Sequence, residues 1–197
     1  GQVRLVKEGI GYLKNLRRAK IPFLRGHAIL EARGEEEVAE AVYAKLDDTW
    51  KPIPGTEETV EVDTICLGYG FISSIRLSYL CGCEHRYDNI LGCWVPKYDE
   101  NMETNIPGVF VAGDGAGVAG HLAAIEEGRL CGLNVAQQLG KITEKEAENR
   151  RFSTLRKLKG IRRFEDALNE MSAIRPGLYS RITDDTIICR CEEITAG

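Results

Sequence analysis

The pattern of apolar and polar residues predicts a helix at the start of the chain. Apolar residues recur at spacings of three and four over residues 2–19, which is typical of an amphipathic helix. They are Val3, Val6, Ile10, Leu13 and Leu16. Gly9 and Gly11 lie within this stretch and lower its helix propensity.

Three extended segments follow this helix. The first contains Pro22 and reaches about residue 32. In the other two, residues 35–46 and 59–67, apolar and polar side chains alternate, as they do on strands with one buried face. A loop with two prolines and a glycine separates these two segments. We therefore predict a three-stranded antiparallel sheet.

The next part of the chain is predicted to alternate between extended and helical structure. Residues 62–71 read as a strand that runs into a glycine turn at Gly68 and Gly70. Residues 73–82 read as a short helix, and residues 85–94 as an irregular segment that enters a strand.

The most informative stretch is the glycine-rich segment over residues 108–120. A short apolar run, residues 109–112, is predicted to be a buried strand, and a helix is predicted from Val118 to about Leu139. A strand, a glycine turn and a helix start bring backbone N–H groups together at one corner. Such a corner suits phosphate or another electron-rich group.

This segment contains a G-x-G-x-x-G pattern at Gly115, Gly117 and Gly120, but its context argues against a dinucleotide fingerprint. That fingerprint needs a second strand after the helix, whereas residues 141–151 are charged and helix-like. Asp114 lies directly before the glycines and would repel a phosphate. Its carboxylate is better suited to accept hydrogen bonds from sugar or polyol hydroxyls.

A long helix is predicted after the glycine-rich segment. Thr143 and Glu146 form a capping box, and apolar residues then recur at three- and four-residue spacing, with Gly160 expected to divide the helix. Residues 141–181 carry 11 basic and 6 acidic side chains. A solvated helical face explains this surplus, and a surface for an acidic partner is the alternative. Nucleic acid is not expected, because no aromatic residues are interleaved with the charge.

Composition indicates an ordinary globular protein. The chain has 197 residues, of which 43% are hydrophobic and 28% charged, with a net charge of −4. No apolar run approaches the roughly 18 residues of a membrane span. The first residues do not resemble a signal peptide, so an intracellular location is expected.

The seven cysteines do not indicate a secreted disulfide scaffold. Cys66 and Cys131 lie in apolar patterns and are predicted to be small core residues. A second interpretation is a zinc or thiol-redox site, for which four residues could supply ligands. These are Cys81, Cys83, Cys93 and His85.

Two motifs carry a resemblance to flavoprotein oxidoreductases with two dinucleotide-binding domains. More closely, the chain is similar to the alpha subunits of opine oxidase, dye-linked proline or hydroxyproline dehydrogenase, and hydrogen cyanide synthase. The first motif, Thr104-x-x-x-x-Val-Phe-Val-Ala-Gly-Asp ending at Asp114, resembles the second flavin motif of this family. The second, residues 62–74, resembles the strand that returns to the flavin domain, although Ser73 and Arg76 replace the usual proline and acidic residue.

The resemblance implies a binding site for FAD. Asp114, after Gly113, would bind the ribityl chain, and backbone N–H groups near the helix start would face the pyrimidine edge of the isoalloxazine ring. The residues implied in cofactor binding are Gly68, Gly70, Gly113, Asp114, Val118, Ala119 and Gly120. No residue is predicted to be a catalytic acid, base or nucleophile.

The implied fold class is α/β, with α+β character in this chain because only parts of the domains are expected here. Residues 1–66 would be the end of an inserted nicotinamide-type domain and residues 67–140 the C-terminal part of the FAD-binding domain. Residues 141–181 would form a helical segment. Residues 182–197 would be the truncated start of a bacterioferritin-associated-ferredoxin-like module.

Cys189 and Cys191 resemble the first C-x-C pair of that module. A [2Fe–2S] cluster needs four thiolates, so these two are half of a ligand set and are expected to hold no cluster in this chain. The parent protein would carry FAD and the cluster, whereas in this chain by itself FAD is expected to be absent or only weakly bound. The first G-x-G-x-x-G of the flavin domain is likewise absent from this sequence.

The resemblance implies a subunit that oxidises the C–N bond of an amine, opine or imino acid and relays electrons through flavin and iron–sulfur centres. A second dehydrogenase subunit is the expected partner, and a homo-oligomer is left open. A cytoplasmic location is implied, with attachment to the inner membrane face through a complex also left open. Activity of this chain by itself is not expected. The alternatives are a non-catalytic assembly domain with a vestigial flavin corner, or a cysteine-based metal or redox protein.

Overall fold

The computed structural model describes residues 2–189 and 191–197, with the side chains of the first helix described from Val6 onward. The chain divides into two compact units. The sheet unit is formed by Arg4–Tyr69 and Ile174–Gly197, and the helical unit by Gly70–Ala173 together with Gln2 and Val3.

The predicted helix, α1, extends over Gln2–Arg18, and from Arg4 onward it belongs to the sheet unit. The predicted antiparallel sheet follows, with strands β1 (His27–Arg33), β2 (Glu40–Lys45) and β3 (Glu58–Glu61) in the order β1-β2-β3. This prediction is confirmed. The middle strand holds the buried side chains of the unit, because it alone has a neighbour on both sides; they are Ala41, Val42 and Ala44.

The predicted strand over residues 62–71 is wrong. Strand β3 ends at Glu61, and residues 62–75 are irregular, with Leu67 and Phe71 exposed. The reason is that β3 pairs only with β2, so the residues after it have no ladder to join. An alternating sequence produces a strand only where a neighbouring backbone is available.

The C-terminal part of the sheet unit contains a short helix, α5 (Pro176–Tyr179), and a small hairpin of β6 (Ile187–Cys189) and β7 (Ile194–Thr195). Gly177 donates its backbone N–H to the carbonyl oxygen of Thr49 at 2.8 Å. A Cβ at this glycine would lie 2.5 Å from that oxygen, so only glycine fits. Arg190 of the predicted C-x-C motif lies outside the described residues.

The helical unit begins with the short helix α2 (Arg76–Leu80), followed by a hairpin of β4 (His85–Asp88) and β5 (Cys93–Pro96). The strand predicted near Trp94 is confirmed as β5, whereas the irregular structure predicted before it is wrong where β4 forms. Asp88 stabilises the turn by accepting hydrogen bonds from the backbone N–H groups of Ile90 and Leu91. Gly92 completes the turn with a φ of 65°.

Two long helices, α3 (Gly120–Gln138) and α4 (Glu144–Ser172), form most of the helical unit. The predicted capping box starts α4: the Thr143 hydroxyl accepts from the backbone N–H of Glu146, whose carboxylate accepts from the N–H of Thr143 at 2.9 Å. Gly160 does not divide this helix, contrary to expectation, because apolar residues on both sides of it pack against the core. The core residues are Met102, Ala116, Ala123, Leu130 and Leu158.

The architecture is a mixture of helices and small antiparallel sheets, as the predicted α+β character requires. No parallel pair of strands occurs in the described part of the chain. Of the helices over residues 2–189 and 191–197, none is long and apolar enough to cross a lipid bilayer.

Candidate functional site

The residues that lead into the glycine-rich turn form a bent loop and not the predicted strand. Thr104 donates its backbone N–H to the carbonyl oxygen of Val109 at 2.8 Å, and Val111 donates to Met102 at 3.0 Å. Only one isolated bridge, between Glu103 and Phe110, connects the two sides within the described residues. Met102 has a φ of 66°, so its side of the loop is bent and cannot support a longer ladder.

The turn itself is a single 3-10 turn over Gly113–Gly115. Gly113 has a φ of 61°, and the backbone carbonyl of Asp114 accepts a hydrogen bond from the N–H of Ser74 at 3.1 Å. The side chain of Asp114 is exposed. Its carboxylate makes no hydrogen bond or ion pair with any residue that the structure describes. The turn therefore presents a free acceptor group to solvent.

The segment between this turn and α3 presents unpaired donors. The backbone N–H groups of Val118, Ala119 and Gly120 donate to no other described residue. Ala119 is the N-cap residue of α3 and has no side chain that could cap the helix. These N–H groups thus remain available at the positive end of the helix dipole.

An ion pair between a buried carboxylate and a half-buried arginine fixes the start of the turn. Glu127 of α3 has a side chain that is only 2% exposed, and its Oε2 accepts a hydrogen bond from the backbone N–H of Gly113 at 2.8 Å. Its Oε1 accepts from Nη2 of Arg162 on α4, also at 2.8 Å. Burial opposes the charged form of Arg162, but the hydrogen bond to Glu127 and the electrostatic attraction of Tyr98, Glu127 and Asp166 together outweigh it and raise the pKa of the guanidinium. Both carboxylate oxygens are therefore occupied.

The same helix contacts the other end of the glycine-rich segment. Asn169 donates from Nδ2 to the carbonyl oxygen of Val118 at 3.3 Å. The carboxylate of Glu165 lies 3.2 Å from the position that a Cβ would take at Gly120. Burial raises the pKa of Glu165. Between α4 and this segment lies an open cavity of about 220 Å³, which Arg162 and Asn169 line.

Gly68 and Gly70, the other two glycines of the predicted site, show no contact with the described residues that indicates a role in cofactor binding. Gly68 belongs to the sheet unit and Gly70 begins the helical unit. Gly70 has a φ of 119° and open space around it. Their role in cofactor binding stays a prediction.

The alternative metal site is not supported. Among residues 2–189 and 191–197, no three cysteine, histidine or acidic side chains gather as metal ligands would. Cys83 is buried beside Thr104, Cys93 lies near Ser73, and Cys81 is exposed. These thiols have separate surroundings.

The cysteines predicted to be core residues differ from each other. Cys66 is exposed, contrary to expectation, because the strand predicted around it does not form. Cys131 is half-buried in the helical core, where burial raises the pKa of its thiol to about 11. In the C-terminal hairpin, Cys189 is half-buried and Cys191 is exposed.

His85 has one close polar neighbour among the described residues, the hydroxyl of Ser78, at 2.9 Å from Nε2. Ser78 also donates to the carbonyl oxygen of Ile75 at 2.9 Å. The Ser78 hydroxyl therefore contacts both the His85 ring and the Ile75 carbonyl.

Sequence reasoning did not find Glu127, Arg162 or Asn169. Periodicity could have identified Glu127, because it lies four residues after Ala123 and three before Leu130, both fully buried. A carboxylate on the buried face of a helix requires a partner. No local signal indicated that Arg162, 35 residues further along the chain, is that partner.

Comparison with known proteins agrees with the resemblance. The sequence profile of the pyridine nucleotide-disulphide oxidoreductase family matches residues 9–138. The chain is 32% identical over 194 residues to the HcnB protein of hydrogen cyanide synthase from Pseudomonas aeruginosa, covering 98% of this chain and 42% of that protein. It is 33% identical over 196 residues to an opine oxidase subunit from Agrobacterium tumefaciens, covering 96% of this chain and 36% of that protein.

A shorter match links the chain to ferredoxin–NADP reductase of Geobacillus kaustophilus, with 43% identity over 60 residues, 30% of this chain and 16% of that protein. The chain spans about two fifths of the length of the HcnB relatives that it matches. The family profile ends at the last residue of α3, so α4 lies outside the matched region.

Proposed function

We propose a function for this chain from two facts: it belongs to the pyridine nucleotide-disulphide oxidoreductase family, and its glycine-rich turn presents a free carboxylate beside unpaired N–H groups. The proposed function is to bind the ribityl chain and the isoalloxazine ring of FAD within one subunit of an oxidoreductase. The exposed carboxylate of Asp114, unpartnered among the described residues, is the observation that carries this proposal.

The groups at the turn fit a flavin better than a phosphate. A carboxylate only accepts hydrogen bonds, and the hydroxyl groups of a ribityl chain donate them. A phosphate is itself an anionic acceptor and would be repelled by Asp114. The N–H groups of Val118, Ala119 and Gly120 are donors at a helix N-terminus, which suits the electron-rich pyrimidine edge of the ring. Both halves of the site therefore match the chemistry of the part of FAD that they would meet.

In the whole protein, bound flavin would supply the two-electron oxidation, and the chain would position it. Asp114 would accept hydrogen bonds from the ribityl hydroxyls, and the N–H groups before α3 would donate to the ring. We infer a substrate with an oxidisable C–N bond, in the class of amines, opines or imino acids. The names of two relatives, opine oxidase and hydrogen cyanide synthase, support this inference.

We also infer that the partner is a second dehydrogenase subunit, because both relatives are themselves named as subunits. Large apolar side chains on α2 support this inference, because they are more than 70% exposed and would be buried in an interface. They are Leu77, Tyr79 and Leu80.

An electron relay through a [2Fe–2S] cluster is also proposed, with Cys189 and Cys191 as two of the ligands. The residues present supply only half of a ligand set, and within the described part of the chain no further ligands gather around them.

Titration with flavins tests the proposed function. The purified chain should quench the fluorescence of added riboflavin and FAD, while ADP should not compete, because the site meets the ribityl and ring portions only. Asp114→Ala should weaken riboflavin binding by about tenfold or more, the value of a charged hydrogen bond. Asp48→Ala, which removes an exposed carboxylate elsewhere, is the matched control. Absence of flavin binding, or displacement by ADP, would contradict the proposal.

A further inference from the structure

We propose that α4 is a clamp that holds the flavin corner in its binding conformation, with Glu127, Arg162 and Asn169 as positioning residues. This inference rests on the proposed function, since it concerns the same glycine-rich segment. The clamp contacts both ends of the segment: Gly113 through Glu127 and Arg162, and Val118 through Asn169. The family profile ends at residue 138, so Glu127 lies within it and Arg162 and Asn169 lie beyond it.

At the first end, the clamp acts through a chain of three groups. The backbone N–H of Gly113 points at Oε2 of Glu127, and Oε1 of the same carboxylate pairs with Arg162. Glu127 is among the most completely buried side chains of the described residues. A buried carboxylate costs free energy unless its oxygens are paired, so Arg162 makes this acceptor tolerable in the core. The turn is therefore anchored to a group that α4 stabilises.

At the second end, α4 contacts the segment directly. Asn169 donates to the carbonyl oxygen of Val118 at 3.3 Å. This bond turns the Val118 carbonyl toward α4. Arg162 and Asn169 are seven residues apart, which places them on the same face of the helix, about two turns from each other. One face of one helix therefore restrains both ends of the segment that carries Asp114.

The packing around Arg162 shows that it has a fixed place at this site. Its Nη2 lies 3.3 Å from the hydroxyl of Tyr98 and 3.9 Å from the sulfur of Met102, both from the loop that leads into the turn. Its guanidinium also lies over the Tyr98 ring, 6.0 Å from the centroid. The same side chain thus contacts the loop before the turn and the carboxylate that holds it.

Two double variants separate the clamp from general packing. Glu127→Met with Arg162→Met removes both charges, so neither is left buried alone, and removes the acceptor of Gly113. Glu127→Gln with Arg162→Met differs only in retaining a polar amide, with its carbonyl oxygen, at position 127. Replacing a buried ion pair by apolar side chains is often neutral for stability, so the Met/Met variant is expected to fold. The Gln/Met variant leaves the NH2 group of the buried amide without its partner and should lose about 1–3 kcal/mol of stability, so the unfolding of both variants is measured alongside. Arg163→Leu, on the exposed face of α4, is the control.

Hydrogen exchange of the Gly113 amide is the first measurement, because it needs no ligand. Exchange should be about tenfold faster in the Met/Met variant than in the native chain, corresponding to one lost hydrogen bond, and close to native in the Gln/Met variant. Riboflavin affinity should fall about tenfold in the Met/Met variant and recover in the Gln/Met variant. Asn169→Leu should weaken riboflavin binding while leaving exchange at Gly113 unchanged.

The outcomes distinguish the clamp from the proposed function. If the native chain takes up no riboflavin, the proposed function fails, and exchange at Gly113 still decides whether the clamp exists. Equal exchange at Gly113 in the native, Met/Met and Gln/Met proteins overturns the clamp, even if flavin binding changes. Unchanged riboflavin affinity in both Asn169→Leu and the Met/Met variant overturns its role in binding.

Discussion

Replacing Gly113 by alanine tests the geometry of the turn most directly. Gly113 has a φ of 61°, in the left-handed region that disfavours residues with a Cβ. A Cβ built there lies 3.2 Å from the Cβ of Ala124 on α3. The substitution therefore combines backbone strain with a close contact, and a control is needed to separate them. Gly140 provides it, with a φ of 63° and no heavy atom within 4 Å of its built Cβ.

The expected losses in free energy of unfolding follow from the backbone strain and the close contact. The left-handed conformation costs an L-residue about 1–2 kcal/mol, and this cost applies to Gly113→Ala and Gly140→Ala alike. A carbon–carbon distance of 3.2 Å is shorter than the optimum of about 3.5–4.0 Å. Overpacking should therefore lower the stability of Gly113→Ala by a further amount of about 1 kcal/mol or more. We expect a total of about 2–4 kcal/mol at Gly113 and about half of that at Gly140.

Urea unfolding followed by tryptophan fluorescence measures both changes. Trp50 lies in the sheet unit and Trp94 in the helical unit, so a Trp50→Phe background makes the signal report on the helical unit. A double-mutant cycle with Ala124→Gly then isolates the contact. The variant that carries Gly113→Ala together with Ala124→Gly should regain the free energy of unfolding that the close contact costs. It should still lose the part that the left-handed backbone costs.

Two outcomes would refute this reasoning. If Gly113→Ala and Gly140→Ala lose the same free energy of unfolding, the close approach between the turn and α3 is wrong. If Gly113→Ala loses nothing, the left-handed turn itself is wrong, and the orientation of Asp114 that follows from it fails as well.

Two further predictions concern α4 and the helical core. Thr143→Ala should lower the stability of the helical unit by about 1 kcal/mol in the same urea assay, because it removes the N-cap. Hydrogen bonds from the backbone N–H and then the hydroxyl of Thr143 lower the pKa of Glu146, so the contribution of the capping box is present above the ordinary carboxyl range and is lost as the pH falls through the lowered pKa. The variant keeps the backbone N–H, so it should lose only the part of this acid dependence that the hydroxyl supplies. Iodoacetamide at mildly alkaline pH should alkylate Cys81 and Cys191 well before Cys131, whose thiol pKa is about 11, and mass spectrometry showing equal rates would contradict the structure.

Local patterns predicted the parts of the fold that depend on neighbouring residues. The capping box at Thr143 and the alternation in β2 are read from a few residues, and both form as expected. The strand predicted over residues 62–71 failed because a strand depends on a partner that alternation does not reveal. The hairpin over residues 85–96 was missed because its turn lacks the Asn-Gly or Asp-Gly signal and is stabilised by Asp88 instead.

The site was predictable to a similar degree. The position of Asp114 before the glycines indicated a hydroxyl-binding group, and the structure leaves its carboxylate exposed and without a partner among the described residues. The anchor of the turn was not predictable as a whole. Glu127 could be recognised from its place on the buried face of α3, but Arg162 acquires its role only when α4 packs against α3.

Because Arg162 acts on the turn only through tertiary packing, the stability of α4 and its effect on the turn can be changed independently. Thr143 lies 19 residues before Arg162, roughly 30 Å along a helix. Loss of the cap should therefore lower the free energy of unfolding and leave the Gly113 amide protected in the native state. Removing both charges of the Glu127–Arg162 pair should leave the free energy of unfolding nearly unchanged, because the apolar side chains preserve stability. It should speed exchange of the Gly113 amide, because that amide loses its acceptor. If Thr143→Ala and the Met/Met variant changed the free energy of unfolding and the exchange rate of the Gly113 amide in the same proportion, the ion pair would act as ordinary packing and not as the support of a binding site.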